Sequence, residues 1–278
     1  MSGNRKYKDS VFALLFGEKE ILIELYNAVS GSSYTPDTDV IMTTLENALF
    51  LGKINDIAFK LENRFIIMIE HQSTLPVNLP LRMLQYISRI YEMLIEPENV
   101  YRITQVKIPS PEFLVLYNGP DDFPDEKTVY LSDAFIDGSK RNLELTVRIL
   151  NINKGHNEKI LQKSEHLNGY AVLIDRVRAN QKNGMNLDAA LTEAVKYCRE
   201  QNILKEFLHK NGSEVVNMLF AEFNMDDAKR IWREDGEITK AMKVAEKLLR
   251  KRLSIEEISE ITELTQSEIM EIKEKMKN

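Results

Sequence analysis

Cysteine is almost absent: Cys198 is the single one in 278 residues. That excludes a disulfide framework or a cysteine-built zinc site within the chain. No nucleophile motif surrounds Cys198, so a structural thiol is expected there, and a reducing, cytoplasmic setting fits it. No run of about 18 apolar residues occurs, and Met1 to Asp9 contains no apolar segment of signal type. Neither a membrane span nor export is expected. An excess of positive charge is missing too. The net charge is -6, which argues against non-specific coating of nucleic acid. A nuclease stays compatible with that balance, because a few local Lys and Arg residues hold phosphates while active-site carboxylates add negative charge.

What the chain does have is 43% hydrophobic and 29% charged residues, the mixture of a folded protein with one sizeable core. Its length suits a catalytic domain with a helical appendix. Helical spacing of Val11, Phe12, Leu15, Phe16, Leu22, Leu25 and Tyr26 predicts a helix over 8–29, with Gly17 as a break or kink. Strand patterns follow over 48–72, a helix over 79–95, and strands over 112–117 and 143–152. After about residue 153 the chain reads as helical, with sections starting near Asn157, Leu187, Gly212 and Met225. The expected organisation is an α/β core over 1–153, a helical region over 154–252 and a small helical tail over 253–278. In that tail Ser254-Ile-Glu-Glu257 and Thr265-Gln-Ser-Glu268 are capping boxes, each announcing a short helix. The preceding helix carries Lys240, Lys243, Lys247, Arg250, Lys251 and Arg252. This layout is compatible with a helix-turn-helix. It also suits a plain bundle with a solvated face, since seven glutamates between Glu256 and Glu274 repel phosphate.

The stretch from Lys53 to Ser73 carries the chemistry. Glu62-Asn63-Arg64 is a polar break between two strand-like runs, the pattern of a hairpin. With those three residues as the loop, Leu61 faces Phe65, Phe59 faces Ile67 and Ile57 faces Ile69, an all-apolar face. That register sets Asp56 opposite Glu70, with Gln72 two residues further along. Directly paired carboxylates, with Cα atoms ~4.5–5.5 Å apart, are costly unless a divalent cation neutralises them. Hard oxygen donors suit Mg²⁺, with Mn²⁺ as a substitute, and such an ion polarises a phosphate and acidifies water. The plainer reading is an exposed hairpin face whose acids pair with basic neighbours.

An Asp on one strand followed by Glu-x-Lys or Glu-x-Gln on the next is the pattern of PD-(D/E)xK nucleases. More closely, the chain resembles the recombination-promoting nuclease (Rpn) family, whose members also carry the name transposase. The resemblance rests on Lys8-Asp-Ser-Val-Phe-Ala-Leu-Leu-Phe16, Asn55-Asp56, Ile69-Glu-His-Gln-Ser73, Leu79-Pro-Leu-Arg-Met-Leu-Gln-Tyr86 and Leu116-Tyr-Asn-Gly119. It implies a restriction-endonuclease-like core, a mixed sheet flanked by helices, and Mg²⁺-dependent cleavage of DNA. Asp56, Glu70 and Gln72 would then be the catalytic residues, with Asp56 and Glu70 as metal ligands. The His71 carbonyl would add a third oxygen, and Asp9 on the first helix a further acid. Asp9 also fits as a helix-start acid favoured by the macrodipole, and the His71 side chain as a structural group. Gln72 stands where many relatives have lysine; it orients a water but carries no charge.

On the helix after the hairpin, Arg82, Tyr86 and Arg89 are spaced four and three residues apart, hence on one face. They are candidate DNA contacts, or the wet side of an amphipathic helix. The leading expectation is a DNA endonuclease. The alternative is a catalytically weak DNA- or partner-binding protein that keeps the nuclease fold, with a helical scaffold as a third reading. Cutting both strands would favour a homodimer.

Overall fold

The computed structural model describes residues 10–43, 56–71, 78–136, 142–251 and 253–275; for residues 43, 56, 65–71, 225–239, 246, 267, 268, 271, 274 and 275 the description is of the backbone. The chain divides into two compact units, Met1–Glu222 and Phe223–Asn278.

The first unit is mixed α/β. It opens with α1 (Val11–Phe16) and α2 (Lys19–Ser30). The Ser10 hydroxyl caps α1 by accepting from the Ala13 amide at 3.0 Å. Gly17 ends α1, so the helix expected over 8–29 is two helices meeting at that glycine. Six strands follow: β1 (Val40–Thr43), β2 (Asp56–Leu61), β3 (Arg64–His71), β4 (Ser110–Tyr117), β5 (Glu126–Tyr130) and β6 (Thr146–Asn151). Their order in the sheet is β1-β2-β3-β4-β6-β5. The inner strands β3, β4 and β6 run parallel, while β1–β2, β2–β3 and β5–β6 pair antiparallel. The crossover from β3 to β4 contains α3 (Leu79–Leu94), as parallel pairing requires.

Inner strands are apolar on both faces, and Phe113 through Tyr117 of β4 are all buried. The strands that sequence patterns miss, β1 and β5, are the two edges of the sheet. Ile41 is 51% exposed in β1, and no residue of β5 is buried. A short, half-wet strand shows neither a continuous apolar run nor clean alternation, so it reads as loop.

Next come α4 (Glu158–Leu161), α5 (Glu165–Lys182) and α6 (Leu187–Glu200), which belong to the same unit as the sheet. Tyr170 of α5 meets Phe12 and Phe16 of α1 edge-on, with ring centroids 5.8 and 6.4 Å apart. The His166 imidazole Nδ1 lies 2.9 Å from the Glu24 carboxylate, tying α5 to α2. α7 runs from Lys205 to Arg250 without interruption. The helix starts expected near Gly212 and Met225 fall inside this one helix, with Gly212 buried beside the Arg199 side chain.

The second unit closes with α8 (Ile255–Thr262) and α9 (Gln266–Lys275). Its core is Ala245, Ile258, Leu264, Ile269 and Ile272, flanked by Leu248, Leu249 and Leu253. The Ser254–Glu257 capping box is present, each side chain bonded to the other's backbone.

Candidate active site at the ends of the parallel strands

The β2–β3 hairpin turns on two residues, Glu62 and Asn63. Leu61 pairs with Arg64, and the ladder runs through Phe59–Ile66 and Ile57–Met68 to Asp56–Ile69. Glu62 adopts φ +51, the positive value that a two-residue hairpin demands at its first turn position. This corrects the expected register by one residue: Arg64 is the first residue of β3 and not part of the loop. The cause lies in β3, where Phe65, Ile66, Ile67, Met68 and Ile69 form a continuous apolar run. A strand apolar on both faces has no polar-apolar alternation to choose between neighbouring registers.

Asp56 therefore stands opposite Ile69 and not Glu70. The two acids still lie at one end of the hairpin, Asp56 as the first residue of β2 and Glu70 as the last but one of β3. Successive positions of a regular ladder alternate between faces, so pairing alone does not bring positions 56 and 70 to a common face. Asp56 is the first described residue of β2. Gln72 and Asp9 lie outside the described residues.

The same end of the sheet collects the carboxyl ends of the parallel strands, where open α/β sheets carry their ligand sites. Glu70 pairs with Leu116, His71 with Tyr117, and Tyr117 with Asn151. Just beyond, Arg178 of α5 donates to the Asn153 side-chain oxygen at 2.8 Å, to the Asn118 side-chain oxygen at 3.3 Å and to the Asn118 carbonyl. Asn153 in turn donates to the Gly119 carbonyl at 2.9 Å. Asn118 is 1% exposed, and its amide nitrogen has no hydrogen-bond partner among the described residues. Leaving such a donor unmet costs about 1–3 kcal/mol, and an orphan of this kind calls for a functional or structural explanation. Gly119 is required by crowding: a Cβ there would lie 2.4 Å from the Tyr117 hydroxyl. That hydroxyl is engaged in turn by the backbone of Asp121, at 3.1 Å.

Leu116–Gly119 enters the sequence-based expectations only through the resemblance, and the cluster of Asn118, Asn153 and Arg178 is not among them. The strand-end position of Asn118-Gly119 was a usable signal. Nothing in sequence joins Arg178, sixty residues later, to it.

On α3, Arg82 and Arg89 are half-buried. Tyr86 is 2% exposed and belongs to the core beneath the helix, with Met83, Ile87 and Ile90. Its hydroxyl accepts from Arg82 at 2.8 Å. Tyr86 thus holds Arg82 from inside the fold, where a residue stacking on a base would need a free ring face. Among the described residues no group of three or more His, Cys, Asp or Glu converges as a metal site. His156 pairs with Asp125 at 2.6 Å and His166 with Glu24, both outside the strand-end cluster. No family model matches the chain, nor does any curated protein or solved structure.

Proposed function

We propose that the chain is a metal-dependent DNA endonuclease with a restriction-endonuclease-like core, acting at the hairpin end where Asp56, Glu70 and Gln72 fall. The observation that carries the reading is the backbone placement of Asp56 and Glu70 one register step apart, at the end of the sheet where β3, β4 and β6 terminate. The donor set fits a hard divalent cation: two carboxylates and the His71 carbonyl are all oxygen donors of the type Mg²⁺ and Mn²⁺ take. A bound Mg²⁺ would supply charge stabilisation at a scissile phosphate and a more acidic water. Sharing one ion requires a departure from regular alternation between Asp56 and Glu70.

Gln72 orients the attacking water in this reading. Its neutral amide donates and accepts hydrogen bonds but takes no proton near neutral pH. Arg82, buttressed by Tyr86, and Arg89 hold backbone phosphates, and Asp9 is a further acid for the ion.

Titration calorimetry of Mg²⁺ or Mn²⁺ tests the ligand pair: binding is expected to be lost in Asp56→Asn, and unchanged binding would sink the assignment. Purified protein is expected to nick plasmid only with the metal, and Asp56→Ala to abolish nicking. Gln72→Ala should slow cleavage by more than about tenfold with metal affinity retained, the size expected for a group that positions a reactant. DNA binding without any metal-dependent nicking would favour the alternative, a binding protein on the nuclease fold.

A further inference from the structure

The C-terminal unit has the internal construction of a helix-turn-helix. α8 and α9 are joined by Glu263, Leu264 and Thr265. Glu263 takes the left-handed conformation (φ +59), which turns the chain sharply in three residues. Leu264 in the turn is 6% exposed and plugs the core, and its carbonyl accepts from the Ser259 hydroxyl at 2.7 Å. Ile258 of α8 and Ile269 and Ile272 of α9 close on it, with Ala245 of α7 as the third side. The packing thus fixes a first, a second and a third helix around one small core.

Charge is segregated over these helices. Lys240, Lys243, Lys247 and Arg250 are spaced three, four and three residues apart and form one exposed stripe on α7, about 15 Å long. Lys251 extends it, and no ion pair among the described residues engages any of the five. Ala241, Ala245, Leu248 and Leu249 form the opposite, inward face. On α9, Gln266, Met270 and Lys273 are exposed at a spacing of four and three, with Met270 51% exposed.

We infer that the C-terminal unit is a duplex-DNA docking module, in which the α7 stripe lies on the phosphate backbone and α9 presents Gln266 and Met270 to the major groove. Complementarity of charge carries the choice of partner: five exposed cations on one helix flank match a polyanion. The glutamates of α8 and α9 keep this attraction confined to the α7 flank and oppose indiscriminate binding. The inference deepens the endonuclease reading by giving it a separate handhold on DNA.

The test uses the full chain, a fluorescent DNA duplex and a chelator, so that no cleavage occurs. Binding measured across salt concentrations should give a log–log slope about 2.7 units steeper for the wild type than for the triple variant Lys240→Gln, Lys243→Gln, Lys247→Gln, since each phosphate contact contributes about 0.9. Met270→Ala should weaken binding about tenfold with little change in slope, as loss of a groove contact does. An unchanged slope in the triple variant overturns the inference. So does an altered oligomeric mass with unaltered DNA binding, which would make a second copy of the chain the occupant. Should the triple variant fail to fold, Lys247→Gln alone carries the test with an expected change of about 0.9. Wild-type cleavage without tail-dependent binding would remove this inference only; tail-dependent binding without cleavage would remove the nuclease reading only.

Discussion

At the scale of single residues, burial decides what side chains can do. Tyr26 of α2 donates to the Glu112 carboxylate of β4 at 2.7 Å, and Arg64 of β3 lies 3.7 Å from the same oxygen. Burial, followed by the hydrogen bond to Glu112, pushes the Tyr26 hydroxyl up to about 12. The unfolded phenol titrates near 10. A group whose folded value is raised contributes stability below its unfolded value and loses it as pH climbs through the folded one. Wild-type protein should therefore lose stability between about pH 10 and 12, and Tyr26→Phe should lose less over that range. Denaturant unfolding at several alkaline pH values reads the difference; parallel curves for the two proteins would show that Tyr26 is not the group responsible. Cys198 follows the same logic. It is fully buried, and its thiol is pushed up to about 11, as expected for the structural role that its isolation in the sequence suggests.

Among elements, the hairpin is the decisive one. Its turn holds Glu62 at φ +51, a conformation that costs a residue with a Cβ about 1 kcal/mol or more. Glycine pays no such penalty. Glu62→Gly should raise unfolding free energy by about 0.5–1 kcal/mol, measurable as a higher urea midpoint. A three-residue loop over 62–64 would remove this benefit, so a neutral or destabilising result would return the register to the one expected from face matching. The contrast with α3 is instructive. Its amphipathic period was readable, and Leu79–Leu94 agrees with the expected helix to one residue. Period 3.6 needs only one buried stripe, whereas the register of β2 and β3 needed an alternation that the apolar run of residues 65–69 in β3 does not have.

For the whole molecule, the helical half is divided between two units. α4, α5 and α6 belong with the sheet to Met1–Glu222, and the small core of α7, α8 and α9 lies in Phe223–Asn278. No helix of the described residues is long and apolar enough to cross a membrane. Removal of residues 253–278 deletes α8 and α9 and uncovers Ala245, Leu248 and Leu249. The truncated protein is expected to keep metal-dependent plasmid cleavage while losing its salt-sensitive, high-affinity DNA binding. A truncation that folds, as judged by cooperative thermal unfolding, yet cleaves nothing would show that the tail belongs to the catalytic machinery.

The amino-acid sequence by itself determined the mixed α/β class, the strands that become β2, β3, β4 and β6, the break at Gly17 and the capped start of α8. Each of these is written in local periodicity or in a side chain that satisfies its own neighbouring amides. Tertiary structure alone decided three things. It set the β2–β3 register, because the unbroken apolar run of residues 65–69 offers no alternation to read. It added the edge strands β1 and β5, which hold their place by pairing with stronger neighbours. And it brought Arg178 to Asn118 and Asn153 at the strand ends, because a contact between α5 and β4 depends on how helices pack over a parallel sheet, which no local sequence window encodes.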